Sequence, residues 1–143
     1  MSRGKVKLGD VLITTEAPMG NVAQIDKEDV ALAQRVIKYR GNVSKLNNDF
    51  LAKFLMSEIF QRALIAEATG STVLGIKGSR LHQLKVILPN LAEQQLIANA
   101  VKIQEQKIEL EQAYLTKLQS LKRGLMSDLL SGEKRVLLSE TTE

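Results

Sequence analysis

The residues with chemical potential are few. The stretch GSTVLGIKGS (residues 70–79) combines glycines, hydroxyls and a lysine, as a phosphate-cradling loop does. Such a loop needs Lys directly after its second Gly, so that backbone N–H groups and ammonium converge on one phosphate. Here Ile76 separates Gly75 from Lys77, and the segment before the loop has a helical pattern where a strand is needed. A nucleotide site is therefore not expected. His82, the only histidine, stands beside Arg80 at the entry to an expected strand, which suits a surface or structural role. Asp26, Glu28 and Asp29 share a polar turn, where solvated carboxylates are a sufficient account of them. Zero cysteines leave no thiol nucleophile, no disulfide framework and no Cys-based zinc site. The chain reads as a non-enzyme without a metal or cofactor of its own.

What the side chains do offer is positive charge with a location. Residues 1–90 carry 13 Lys/Arg against 8 Asp/Glu, while residues 91–143 carry 7 against 8, so the net +4 belongs to the first part. No acid lies between Asp29 and Asp49, where Arg35, Lys38, Arg40 and Lys45 fall, nor between Glu67 and Glu93, where Lys77, Arg80 and Lys85 fall. Two acid-free basic stretches suggest a surface that faces a polyanion.

The elements that would position these residues follow from hydrophobic spacing. VLITT (11–15) and NVAQI (21–25) predict a hairpin across EAPMG, whose Pro18 and Gly20 supply turn geometry. QRVIKYR (34–40) alternates and predicts a half-exposed strand ended by Gly41 and Asn42. Asn47, Asn48 and Asp49 offer N-caps to one helix carrying Leu51, Phe54, Leu55, Ile59 and Leu64, with Gly70 as its C-terminal cap. LKVIL (84–88) predicts a last, mostly buried strand closed by Pro89. Residues 1–89 thus form a mixed α+β unit.

From Ala92 the period becomes helical, with Glu93 in the first turn to complement the helix dipole. Ile97, Val101, Gln104, Ile108, Glu111, Leu115, Leu118, Lys122, Leu125 and Leu129 recur at alternate spacings of four and three, the pattern of a coiled-coil seam. A helix of this length reaches about 58 Å, more than a domain of about 90 residues can cover, so part of the seam is expected to meet another helix. Gln104, Glu111 and Lys122 would weaken that pairing while fixing its register. No apolar run approaches the roughly 18 residues of a membrane span, and MSRGKVKLGD lacks the apolar stretch of a signal peptide, so a cytoplasmic location is expected.

Four blocks in order carry a resemblance: GDVLITTEAPMGNVAQI (9–25), AQRVIKYR (33–40), ATGSTVLGIKGSRLHQLKVILP (68–89), and LAEQQLIANAV leading to LKRGLMSDLLSGEKRV (121–136). Together they resemble the DNA-specificity subunit of type I restriction-modification systems over residues 8–136. In that family each half of a subunit is a target-recognition domain followed by a long helix. The two helices pair antiparallel as a spacer and dock methyltransferase subunits, and the complex recruits restriction subunits. The resemblance covers one such half, without the earlier portion of its recognition domain. It implies a partial target-recognition domain over 1–89 (a small curved β-sheet with a packed helix), a coiled-coil-type spacer and dimerisation helix over 90–131, and a tail over 132–143. It also implies a non-catalytic role in binding double-stranded DNA. S-adenosylmethionine, ATP and Mg are then expected only on partner subunits. Lys77, Arg80, Arg35 and Lys38 are the expected phosphate contacts, and Ser71, Thr72, Thr14 and Thr15 the expected polar contacts to DNA. Ile97, Val101, Ile108, Leu115, Leu118, Leu125 and Leu129 form the expected pairing seam, toward a second copy or another specificity-subunit half. The alternative is a helical interaction module that pairs with itself or with an intact specificity subunit and binds no DNA.

Overall fold

The computed structural model describes residues 5–27, 30–70 and 73–136. The chain divides into two compact units, residues 1–101 and 102–143. The first is built on three antiparallel strands, β1 (Val11–Thr14), β2 (Val22–Gln24) and β3 (Val36–Tyr39), in the order β2-β1-β3. Leu12 lies opposite Ala23 on one side and Lys38 on the other. The expected hairpin and third strand are present, the hairpin strands trimmed by one and two residues and the third strand by three. Gly20 turns the hairpin at φ +87°, a left-handed conformation that glycine adopts without the steric cost of a Cβ.

As the central strand, β1 has an alternation that decides where the core lies. Val11 and Ile13 are fully buried, and α1 (Asn48–Met56) and α2 (Glu58–Ala66) bring Leu51, Ala52, Leu55, Phe60 and Leu64 onto them. Ile76 and Leu81, from the following loop and the short helix α3 (Gly78–Leu81), complete the cluster. The class is α+β, as the sequence predicts.

Three local expectations are corrected. The single helix over residues 47–69 is two, because Ser57 takes an extended conformation at ψ 149°. Its Oγ donates to the Phe54 carbonyl at 2.6 Å and accepts the Phe60 N–H, so one hydroxyl closes α1 and opens α2. The break rotates the apolar stripe: Phe60 is buried, whereas Ile59 is 69% exposed. Gly70 does not cap that helix, which ends at Ala66 with Glu67 as its C-cap; at φ +118° it follows Thr69, and an added Cβ would sit 2.2 Å from the Val73 carbonyl oxygen. Finally, LKVIL is not a strand. Leu84 packs against the core, but Ile87 and Leu88 are exposed and residues 85–90 pair with nothing in the described sheet. Strand propensity is realised only where a ladder and a packing face are available. α3 occupies the expected strand entry instead, with His82 as its C-cap.

The helix α4 (Leu91–Leu130) runs through both units. Asn90 caps it by accepting the Glu93 N–H at 2.9 Å, and Gly132, at φ +78°, follows its end. No helix among the described residues is long and apolar enough to cross a membrane.

Candidate nucleic-acid interface

The turns at one end of the sheet gather most of the expected DNA contacts. The Thr15 N–H and Oγ1 both donate to the Arg35 carbonyl, at 2.8 and 3.1 Å, and the Thr15 carbonyl accepts the Ile76 N–H at 3.0 Å. Gly75 bridges to Glu16 on one side and Thr69 on the other. Thr14, Thr15, Arg35 and Lys77 therefore share this end of the sheet, with Arg80 three residues beyond. A shallow hollow beside it is lined by Thr15, Gln34, Val36, Lys38 and Gly78. Ser71 and Thr72 lie outside the described residues.

The two threonines hold the fold. Thr14 Oγ1 donates to the Pro18 carbonyl and accepts the Asn21 N–H at 3.0 Å, which locks the hairpin turn, while Thr15 Oγ1 is engaged on Arg35. A hydroxyl already donating inside the protein has only acceptor capacity left for DNA.

Folding also supplies acids to the stretches that lack them in sequence. Arg35 is paired with Glu16, and Arg80 Nη1 lies 3.2 Å from Glu67 Oε2. Arg40 reaches 30 residues back to buried Asp10 with a fork, Nε to Oδ1 at 2.6 Å and Nη2 to Oδ2 at 2.7 Å. The Arg40 guanidinium beside Asp10 holds its carboxyl below the usual carboxylate range, against the opposing effect of burial. Lys38 Nζ donates to the Lys5 carbonyl at 3.0 Å and lies 3.9 Å from Asp10. Among the described residues Lys77, Lys45 and Lys85 have no carboxylate partner, and all three are exposed. The uncommitted cations are thus lysines.

His82 serves structure. Its Nδ1 lies 2.9 Å from Tyr39 Oη, the two rings meet edge to face, and burial pushes the Tyr39 phenol up to about 12.

The opposite end of the sheet anchors α4, through residues that spacing arguments do not find. Gln94 is completely buried: its Oε1 accepts the Asn47 N–H at 2.8 Å, and its Nε2 donates to the Lys45 and Pro89 carbonyls at 3.0 and 2.8 Å. Asn47 caps α1 through Oδ1 while its Nδ2 donates to Gln95 Oε1 at 2.7 Å. Asn48 ties the same loop to Gly9 and Gly41. The only sequence signal was the polar pair Gln94–Gln95 at the start of a helix with an apolar stripe.

Along α4, every expected seam residue is exposed, from 37% at Val101 to 55% at Ile108. Leu96, Ile103, Leu110, Tyr114 and Leu121 are exposed as well, outside the predicted ladder. They widen its apolar arc beyond what one narrow seam needs.

Comparison with known proteins places this arrangement. The chain is 30% identical over 138 residues to the type I restriction enzyme MjaVIII specificity subunit of Methanocaldococcus jannaschii, an alignment covering 92% of this chain and 32% of that one. Its fold is similar to the crystal structure of a type I restriction-modification system S subunit from M. genitalium, with a TM-score of 0.73 at 21% identity, over 91% of this chain and 34% of the other. The chain thus spans about a third of the length of these relatives. A sequence profile of the type I restriction modification DNA specificity domain matches residues 4–120, and the chain belongs to that family.

Proposed function

We propose that this chain is a non-catalytic specificity component of a type I restriction-modification assembly, with a DNA-contacting unit at residues 1–101 and an assembly surface on α4. One observation carries the reading: the family profile matches residues 4–120, a range that takes in the sheet, the loop around Lys77 and most of the long helix. The sheet end at Thr15, Arg35 and Lys77 faces duplex DNA, with Lys77 as the phosphate contact that needs no rearrangement. The exposed seam of α4 pairs with a helix of a second specificity half and docks methyltransferase subunits. Those subunits carry S-adenosylmethionine, and restriction subunits bring ATP and Mg.

Co-expression with the methyltransferase subunit of the same host, followed by light scattering after gel filtration, tests assembly: one peak containing both chains is expected. DNA contact is tested on that complex by titrating salt. Affinity falls steeply with salt, and Lys77→Ala lowers the slope of log K against log salt by about 0.9. Separate elution of the two chains defeats the assembly role, and a slope that Lys77→Ala leaves unchanged removes this lysine from the DNA face. A second reading, a helical interaction module that binds no DNA, is favoured by the pairing of Arg35, Arg40 and Arg80 with carboxylates. Stable assembly without salt-dependent DNA binding would select it.

A further inference from the structure

Each arginine among the described residues of the first unit, Arg35, Arg40, Arg62 and Arg80, is paired with a carboxylate, and the pairs differ in kind. Asp10–Arg40 is a two-bond fork at the anchor end of the sheet, its carboxylate buried and its guanidinium partly exposed. Glu58–Arg62 is a one-turn pair on the surface of α2. The other two frame the loop that carries Lys77. Glu16 bridges to Gly75 through its backbone and holds Arg35, whereas Glu67, two residues before the Thr69–Gly75 bridge, holds Arg80 across that loop. In both framing pairs the side chains reach solvent, at 57% and 40% exposure for Arg35 and Glu16, and 62% and 44% for Arg80 and Glu67.

We propose that Glu16 and Glu67 act as specificity-determining brakes on the DNA face, each holding one arginine off the phosphate backbone until a DNA group displaces it. The inference rests on the DNA-contact reading of this end of the sheet. An arginine neutralised by a carboxylate adds no net charge, so it releases no counterions from duplex DNA and adds little to sequence-independent binding. The carboxylate also repels phosphates directly. An exposed pair is nevertheless weak enough to exchange. A guanine edge offers O6 and N7 to two N–H groups of the guanidinium at a fixed spacing, two contacts for the one N–O contact that joins each framing pair. The brake thus lowers affinity for arbitrary DNA more than for a matching site, which is how a repulsive element creates specificity.

The test uses the full chain and a random-sequence duplex, with binding measured from low to moderate salt. Glu16→Gln and Glu67→Gln are each expected to steepen the salt slope by about 0.9 and to tighten low-salt binding several-fold. Glu58→Gln makes the same change in net charge away from this loop and is expected to leave the slope unaltered. Adding Arg35→Gln to Glu16→Gln is expected to restore the wild-type slope. Slopes unchanged in both single variants, or an equal effect of Glu58→Gln, overturn the brake while leaving the DNA-contact reading intact. A wild-type chain that binds no duplex even at about 50 mM salt overturns both.

Discussion

At the scale of single residues, the buried charge of Asp10 has the largest consequence for stability. Its side chain is 1% exposed and accepts two bonds from Arg40 and one from the Lys7 N–H at 2.9 Å. The Arg40 hydrogen bonds lower its folded pKa below 3.8, so ionised Asp10 stabilises the fold above that pH. The contribution is lost as the pH falls through the lowered value. Asp10→Asn is therefore expected to lower Tm by roughly 5 °C at neutral pH, with the difference from wild type shrinking below about pH 4. Melting curves across pH check it, and a gap that persists unchanged at pH 2–3 would mean that charge is not the cause. None of this is visible in linear order, because Arg40 looks unopposed until the fold brings Asp10 to it across 30 residues. The same blindness applies to Arg35 and Arg80, and to the hydroxyls of Thr14 and Thr15. Local sequence displays a side chain's chemistry, while the partner that uses it comes from elsewhere.

At the scale of elements, legibility followed how local the causes were. The hairpin, β3 and α4 are set by alternation, turn residues and helical period within short windows, and they stand where the pattern puts them. The break at Ser57 depends on which of Ile59 and Phe60 finds room in the core, and LKVIL depends on the absence of a neighbouring ladder; both are tertiary facts. The anchor of α4 is another. Gln94 is a helix residue whose amide satisfies three backbone groups from two segments, so no apolar side chain of similar size can replace it. Gln94→Leu leaves the Asn47 N–H and the Lys45 and Pro89 carbonyls without that partner, at an expected cost of about 2–3 kcal/mol. Urea unfolding followed by circular dichroism measures this as a lower midpoint at unchanged slope. A loss below about 0.5 kcal/mol, the level of an ordinary surface substitution, would mean that water or neighbouring groups take over the three bonds.

At the scale of the whole molecule, what must be explained is a long helix whose apolar residues beyond Val101 are all exposed among the described residues. From Lys102 to Leu130 all positions are exposed except Glu105 and Asp128, which are intermediate. Helices in water gain most of their stability from packing an apolar face, and Gln104, Glu111 and Lys122 interrupt this one without giving it an internal partner. The sequence pattern makes the demand for a partner legible, but a single chain cannot display the partner. Self-association of the isolated chain is the cheapest way to meet the demand, and Leu115 and Leu118, 54% and 42% exposed, sit mid-seam in its second unit. Leu115→Asp with Leu118→Asp places two carboxylates where a partner helix would have to desolvate them, which costs more than the apolar contact returns. Light scattering is expected to give the wild-type chain a multiple of 15.8 kDa and the double variant the monomer mass, with the sheet unit still folded by near-ultraviolet circular dichroism. An oligomer that survives both substitutions assigns the contact to another surface, and Leu96, Ile103 and Leu110 on the widened arc become the next positions to substitute.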